Sequence, residues 1–192
     1  MGEEQLIIGL KKGDTTAYNE LVKLFSDKVF NTSVSILQNS EDAEDITQEV
    51  FIEIFKSIHG FKGESKLSTW IYRITVIKAF EFLRKKKRKK RFAIVQSLFG
   101  IESVLPETDV PHFYHPGVQL ENKERSAILF TAIDQLAENQ KTAFILHKIE
   151  GLSYAEVADV MKTSVPSVES LLFRAKQNLQ KLLANYYNKN EK

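Results

Sequence analysis

The chain has 192 residues and contains no cysteine. This absence excludes disulfide bonds and thiolate metal ligands, and it suits a reducing compartment. No apolar run approaches the roughly 20 residues that span a membrane. The N-terminus, MGEEQLIIGLKKGD, lacks the basic start and apolar core of a secretory signal. We therefore expect a soluble, cytoplasmic protein with no membrane insertion of its own.

Positive charge is absent from residues 92–118, which contain no lysine or arginine, and three of the four prolines fall there. Such a composition is typical of a linker. On both sides of it the apolar spacing is helical, and the alternating pattern of β-strands is almost absent. The sequence predicts two small all-α domains, 1–91 and 119–192, joined by an acidic, proline-containing linker, 92–118.

Motifs for catalysis are missing as well. A carboxylate-bridged di-metal bundle requires Glu-x-x-His pairs on facing helices. The residues three positions before the four histidines are Lys56, Asp109, His112 and Phe144. His112 and His115 form a lone pair without further ligands, and nothing forms a P-loop or a Ser-His-Asp set. We expect no enzyme activity, no metal and no cofactor.

The sequence does contain a run of eight consecutive basic residues, Arg84 to Arg91 (RKKKRKKR). Residues 1–83 carry 13 acidic and 9 basic side chains, so the formal net charge of +2 hides an uneven distribution. The run is compatible with a solvated helix end or disordered arm, with a phosphate-binding face and with a nuclear-localisation peptide. The motifs around it have to distinguish among these interpretations.

In the N-terminal domain, Gly13-Asp14 is predicted to precede a first helix, and a second amphipathic helix is predicted to follow it. The first carries Tyr18, Leu21, Val22, Leu24 and Phe25, and the second carries Val29, Phe30, Val34, Ile36 and Leu37. The segment SEDAEDITQEVFIEIFKSI comes next. Ser40 is expected to cap this third helix, and acidic residues in its first turn favour the helix dipole. One side of the helix collects the apolar residues Ala43, Ile46, Val50, Ile54 and Ile58. Another side, about 80° wide, carries an acidic ridge of Asp42, Asp45, Glu49 and Glu53.

Carboxylates spaced like those of the acidic ridge repel one another by a few tenths of a kcal/mol per pair. Water and salt can compensate this repulsion. A basic protein partner can also compensate it, so the ridge is either a solvated face or a binding surface.

The C-terminal domain is predicted to contain four helices. These are Asn122–Leu136, Asn139–Ile149, Tyr154–Met161 and Val165 to about Tyr186. Ser153-x-x-Glu156 is a capping box at the start of the third helix, and Gly151 stands where the preceding helix should end in the left-handed conformation. Lys162-Thr163-Ser164 then turns the chain into the last helix, which indicates a helix-turn-helix.

The last helix separates into two faces. Its inward stripe is Val165, Val168, Leu172, Ala175, Leu179 and Leu182. The candidates for DNA contact at its start and outer face are Ser164, Ser167, Glu169, Ser170, Arg174 and Lys176. Residues at the start of a recognition helix meet base edges in the major groove, while cations bind phosphates.

The order of these segments resembles one protein family. DAEDITQEVFIEIF, then FKGESKLSTWIYRI, then the basic run are similar to the second conserved region of bacterial extracytoplasmic-function RNA polymerase sigma factors. EGLSYAEVADVMKTSVPSVESLLFRAKQNLQKLL resembles their fourth conserved region. The resemblance covers about residues 8–91 and 119–187. It implies a dissociable subunit that gives core RNA polymerase its promoter specificity and assists DNA melting, and that is not itself a catalyst.

The resemblance also implies roles for individual residues. The candidates for docking on the clamp coiled coil of the largest polymerase subunit are Asp42, Asp45, Gln48, Glu49 and Phe51. The candidates for the minus-ten element are Lys66, Trp70, Tyr72, Arg73, Lys78, Arg84, Lys85, Lys86, Lys87 and Arg88. In the family, the helix-turn-helix reads the minus-thirty-five element and touches the polymerase flap, the linker enters polymerase channels, and an anti-sigma protein is a frequent partner.

Several positions depart from the family pattern. They are Ile77, where asparagine is common; Glu81, where aspartate is common; Lys162, where glycine is usual; and Glu169 and Leu171, where basic residues are common. These departures leave the base specificity open. Two rival interpretations remain at this point: a stand-alone helix-turn-helix regulator that binds palindromes as a dimer, and a helical carboxylate metalloenzyme.

Overall fold

The computed structural model describes residues 2–98 and 123–190. Within these ranges every regular element is a helix and none is a strand, which confirms the all-α prediction. The helices are α1 (Glu3–Lys11), α2 (Thr15–Leu37), α3 (Ser40–Ser57), α4 (Leu67–Leu98), α5 (Lys123–Asp134), α6 (Glu138–Phe144), α7 (Tyr154–Met161) and α8 (Val165–Asn190). A 3-10 turn, Ile58–Gly60, follows α3, and a π-helical turn, Ile145–Ile149, extends α6.

Helix α2 is one continuous helix, so the prediction of two separate helices, one with Tyr18 and Phe25 and the next with Val29 and Leu37, is wrong. The polar residues between these segments, Ser26-Asp27-Lys28, include no glycine or proline and occupy less than one turn. Nothing there breaks the backbone hydrogen-bond ladder. The helix begins at the Asp14 cap, whose carboxylate accepts from the Thr16 amide at 2.9 Å, and it ends at Gln38, which adopts a φ of 55°.

Helix α3 has the predicted apolar face, because Ala43, Ile46, Val50, Ile54 and Ile58 are all buried. Its cap differs from the prediction. The Asn39 side chain accepts from the Asp42 amide at 2.8 Å, while Ser40 is already the first helical residue. Asn39 is extended, as a capping residue requires, because Gln38 has just ended α2 in the left-handed conformation.

Helix α4 continues through the basic run to Leu98. It therefore includes residues 92–98, the first part of the predicted linker. Gly100 is the first glycine after Gly63 in the sequence, so no helix-breaking residue occurs in between. The rest of the linker, including His112 and His115, lies outside the described residues, and the domain boundaries remain predictions.

The helix-turn-helix, α7 and α8, forms as predicted. The Ser153 hydroxyl accepts from the Glu156 amide at 3.3 Å, and Glu156 Oε2 accepts from the Ser153 amide at 3.0 Å, which completes the capping box. Gly151 and Lys162 both have positive φ, 73° and 52°. The inward stripe of α8 is buried as far as Leu179, except that Val165 at its first position is 37% exposed.

The helices form an N-terminal unit, α1–α4, and a C-terminal unit, α5–α8. One apolar cluster runs through both, joining Leu21 and Ile36 of the first unit to Phe130 and Ile133 of the second. A second cluster holds the helix-turn-helix together and includes Tyr72 of α4. None of the helices described is long and apolar enough to cross a membrane.

Candidate protein and nucleic-acid interfaces

Lysine side chains of α4 form ion pairs with the two ends of the acidic ridge of α3, whereas no described cation pairs with its middle. Lys86 Nζ lies 2.5 Å from Asp42 Oδ2, and Lys78 Nζ lies 3.0 Å from Glu53 Oε2. The hydrogen bond to Glu53 raises the pKa of Lys78. Asp45 and Glu49 are exposed and form no ion pair with any described residue. Two unpaired carboxylates thus face solvent between two paired ones.

Apolar surface lies beside these unpaired carboxylates. Ile52 and Phe55 are both about half exposed, and the Phe55 ring also makes an edge contact with Tyr18 at 5.7 Å between centroids. Phe51 is only 6% exposed and belongs to the core, so its predicted contact with a partner is corrected. Four residues add only about 40° beyond a full turn, so Phe55 lies on the same side of the helix as Phe51 but nearer to the ridge.

The segment between α3 and α4 forms a small cavity with the start of α4. Phe61 and Trp70 pack with ring centroids 5.2 Å apart at 45°. Together with Lys62 and Arg73 they contribute to the lining of a cavity of about 410 Å³. Gly63, with a φ of 75°, allows the loop to turn here. Sequence reasoning identified Trp70 and Arg73 but missed the loop, although its two glycines, Gly60 and Gly63, are a turn signal.

The other minus-ten candidates on α4 point in several directions. Arg84, Lys85, Lys86, Lys87 and Arg88 are exposed. Lys78 is turned away from the cavity and toward Glu53, as described above, so the structure does not group it with Trp70. Tyr72 is buried against the C-terminal unit because residues two apart on a helix face different sides. Lys78 and Tyr72 therefore do not lie with Trp70 and Arg73 at the cavity.

The start of α8 presents the predicted reading surface. Ser164, Glu169, Ser170, Arg174 and Lys176 are exposed, and Ser167 is partly exposed. The Ser164 hydroxyl accepts from the Ser167 amide at 3.4 Å, while the Ser170 hydroxyl donates to the Pro166 carbonyl at 2.9 Å. Phe173 projects between these polar residues and is 63% exposed.

Comparison with known proteins now decides the family. Residues 21–89 match the family described as Sigma-70 region 2, and residues 120–179 match Sigma-70, region 4. The ECF RNA polymerase sigma-E factor of Haemophilus influenzae is 31% identical over 182 residues, which is 93% of each chain. The RNA polymerase sigma-H factor of Pseudomonas aeruginosa is 30% identical, over 94% of this chain and 93% of its own. The chain belongs to the extracytoplasmic-function sigma factors of the sigma-70 family.

Solved structures share the fold. CnrH in complex with the cytosolic domain of CnrY superposes with a TM-score of 0.67 at 20% identity, covering 95% of this chain and 97% of that one. The sigma factor RpoE of Bartonella quintana, in complex with the anti-sigma factor NepR, gives a TM-score of 0.62 at 20% identity, covering 87% and 96%.

This sigma factor is therefore a transcription initiation factor and not an enzyme. Region 2 contains the acidic ridge, the Phe61–Trp70 ring pair and most of the basic run, and region 4 contains the helix-turn-helix. Both rival interpretations fail on this finding, because a stand-alone regulator or a metalloenzyme would not match both sigma regions along one chain.

Proposed function

We propose that the acidic ridge of α3 is the surface by which this sigma factor docks on the clamp coiled coil of core RNA polymerase. The observation that carries the proposal is the pair of exposed carboxylates, Asp45 and Glu49, which form no ion pair with a described cation. Ile52 and Phe55 lie beside them, and Gln48 is exposed on the same helix. A protein interface requires charges that guide association and apolar area that becomes buried in the complex.

The minus-ten element of the promoter is bound, in this proposal, at the Phe61–Trp70 cavity and along α4. Unstacked bases pack on aromatic rings, each contact contributing about 1–3 kcal/mol, and phosphates bind lysine or arginine. Trp70, Lys62 and Arg73 offer both kinds of contact around one cavity. The exposed cations from Arg84 to Arg88 extend the positive surface along α4 for the rest of the strand.

The minus-thirty-five element is bound by the start of α8, with Ser164, Ser167, Glu169 and Ser170 at base edges and Arg174 and Lys176 at phosphates. Few cations stand on this helix, so its affinity for isolated DNA is low and sensitive to salt. Binding together with region 2 and with the polymerase flap supplies the missing affinity, because linked sites act at high effective concentration.

The proposal includes two further elements. The linker, 92–118, passes through polymerase channels, and its lack of cations suits a path that RNA later occupies. An anti-sigma protein regulates the factor in the cytoplasm, where core polymerase is found. The complexes of CnrH and of RpoE with their partners support this part, since both of those chains share the fold.

The core-docking claim is tested with the double substitution Asp45→Lys and Glu49→Lys. We expect it to lower the affinity for purified core polymerase more than about 100-fold, because like charges at an interface cost several kcal/mol. The matched control is Glu4→Lys with Asp27→Lys, which makes the same change in net charge at exposed positions on α1 and α2. Equal affinity of the two variants in fluorescence titrations would remove the docking claim.

A further inference from the structure

Helix α1 holds both ends of the loop that lines the Phe61–Trp70 cavity. Lys11, in the last turn of α1, donates from its ammonium group to the Phe61 carbonyl at 2.7 Å. Glu3, in the first turn, accepts from the amide of Leu67, the first residue of α4, at 3.2 Å. Each bond has one ionised partner, which makes it stronger than a bond between neutral groups. A single helix is therefore joined to the start and to the end of the loop 61–67.

The contact of Glu3 supplies a cap that the residue before α4 cannot provide. The Lys66 carbonyl accepts the first bond of the helix, from the Trp70 amide at 3.2 Å, so Lys66 stands at the capping position. An ammonium group has no acceptor, so the Lys66 side chain cannot bind a free amide of the first turn. Glu3 binds that amide from another helix, and its negative charge suits the positive end of the α4 dipole.

Helix α1 is itself firmly packed. Leu6 and Leu10 are buried in the same apolar cluster as the two loop ends. Gly9 lies so close to α2 that a β-carbon there would be 2.6 Å from the β-carbon of Ala17. Carbon atoms in contact are about 3.5–4.0 Å apart, so only glycine permits this approach. The two residues that hold the loop thus lie on a fixed helix, about 12 Å apart along its axis.

Between its two ends the loop is open to solvent. Phe61 and Leu67 are buried, whereas residues 62–66 are exposed or partly exposed. Three residues of this exposed part line the cavity: Lys62, Glu64 and Ser65. A segment with few buried contacts samples many conformations unless its ends are fixed. The bonds from α1 therefore limit the shape that the cavity can take.

We propose that Glu3 and Lys11 are positioning residues of the minus-ten site, which hold the loop 61–67 so that the cavity beside Trp70 receives an unstacked base. The inference rests on the proposed function of that cavity. Neither residue touches DNA, because each acts through the backbone of the loop. A site that is ordered before the base arrives loses less entropy on binding. Both residues lie outside 21–89, the range that matches Sigma-70 region 2, so the family match does not include them.

The test removes both contacts of α1 without changing the net charge. Glu3→Ala with Lys11→Met deletes one acceptor and one donor, and methionine keeps an unbranched apolar side chain. The matched control is Glu4→Ala with Lys12→Met, the same two replacements at the neighbouring exposed positions. A conservative variant, Glu3→Gln with Lys11→Arg, keeps an acceptor and a donor. Each full-length variant is assembled with core polymerase.

The readout separates base contacts from phosphate contacts. Two fluorescent probes are titrated by anisotropy: a single-stranded oligodeoxynucleotide of mixed sequence, and an abasic strand of the same length and charge. Bases stack on aromatic rings, so the wild-type holoenzyme should bind the first probe about 10-fold or more tightly than the second. We expect Glu3→Ala with Lys11→Met to lower this preference about 3- to 10-fold and to bind the abasic strand as wild type does. The control and the conservative variant should keep the preference.

Both probes are titrated against one preparation, so an unfolded fraction weakens both titrations alike and leaves their ratio unchanged. A merely structural role of α1 would lower the urea midpoint without changing this ratio. Equal preferences in wild type and in Glu3→Ala with Lys11→Met therefore overturn the proposal, and so does an equal loss in the control.

A second readout follows the loop directly. Trp70 is the only tryptophan of the chain, so acrylamide quenching of its fluorescence in the free sigma factor reports on the cavity. We expect the quenching constant to rise about 2-fold in Glu3→Ala with Lys11→Met, because a loop with released ends opens more often. An unchanged constant overturns the claim that α1 fixes the loop.

Trp70→Ala in the same probe assay separates this inference from the proposed function. If Trp70→Ala lowers the preference for bases and Glu3→Ala with Lys11→Met does not, the positioning role is wrong and the minus-ten assignment stands. If Trp70→Ala leaves the preference unchanged, the cavity does not bind bases, and the positioning role is wrong as well.

Discussion

The phenol of Tyr72 on α4 lies 3.4 Å from Glu150 Oε2, at the end of the π-helical turn, and donates a hydrogen bond across the interface of the two sigma regions. Burial raises the pKa of Glu150 from 4.5 to about 7, although the hydrogen bonds from Tyr72 and Thr32 and the charge of Lys28 oppose the change. The same carboxylate, after burial, raises the pKa of Tyr72, and Glu156 of α7 adds to it. A region 4 carboxyl group at the interface thus has a pKa near neutral pH.

This relationship predicts a pH-dependent interface. The pKa of Glu150 is higher in the folded protein than its ordinary value, so the folded protein binds the proton more tightly than the unfolded chain. Its stability is greatest below pH 4.5 and falls as pH rises toward about 7, where the charged carboxylate stays buried. Glu150→Gln, which is always neutral, should unfold at nearly the same urea concentration as wild type at pH 4 and at a higher one at pH 7.5.

Wild type and Glu150→Gln contain the same four histidines, so the histidines contribute equally to the urea midpoints of both proteins. If the urea midpoints of Glu150→Gln and wild type differ by the same amount at both pH values, the prediction that buried Glu150 makes stability depend on pH is wrong.

The basic run gives a prediction about salt. Lys85, Lys87 and Lys89 are exposed and form no ion pair with described residues, unlike Arg84 and Lys86. Replacing the three with glutamine retains helix propensity. The log of the holoenzyme's promoter affinity falls as the log of the salt concentration rises. The substitution should make this fall less steep by about 2 to 3, because each neutralised phosphate accounts for roughly 0.7–0.9 of the slope.

The matched control for the basic run is Lys12→Gln, Lys23→Gln and Lys56→Gln, which removes three exposed cations elsewhere on the protein. Its slope should equal that of wild type between about 50 and 200 mM salt, the range in which phosphate binding changes most clearly. If both triple variants change the slope equally, net charge and not the basic run determines the salt dependence.

The sequence predicted local structure well where a pattern repeats or a cap has a fixed chemistry. The apolar face of α3, the Ser153–Glu156 box and the turn at Gly151 all follow from interactions within a few residues. The sequence does not distinguish Asn39 from Ser40 as the N-cap of α3, because both side chains can cap a helix equally well. The turn at Gln38 decides in favour of Asn39. The fusion of two predicted helices into α2 has a similar cause, since a polar stretch alone does not end a helix.

The interface between the regions could not be predicted from the sequence. Lys141 looks like any surface lysine of a short amphipathic helix, and Gln38 like an ordinary helix end, until the fold brings them to the carbonyls of Ile36 and Phe130. These contacts join residues about a hundred positions apart, for which no periodic signal exists. The same applies to Tyr72, which a resemblance assigned to DNA and the structure assigns to the contact with region 4.

Lys162 provides a prediction about stability. It adopts the left-handed conformation, φ 52° and ψ 49°, at the turn of the helix-turn-helix. This conformation costs a residue with a side chain about 1 kcal/mol relative to glycine. Lys162→Gly should therefore have a free energy of unfolding about 0.5–1 kcal/mol higher than Lys162→Ala, which removes the same charge without relieving the strain. Equal stability of the two variants in urea titrations would contradict the strain at this turn.

Trp70 gives the sharpest test of the minus-ten assignment. Its ring packs on Phe61 and lines the cavity between α3 and α4. Trp70→Ala removes the stacking surface and should cost about 1–3 kcal/mol in the binding of a single-stranded oligonucleotide. Trp70→Phe retains a ring and should recover most of that loss. Urea unfolding of both variants separates this from a packing role: if the oligonucleotide affinities of the two are equal while their stabilities differ, Trp70 supports the loop and does not contact DNA.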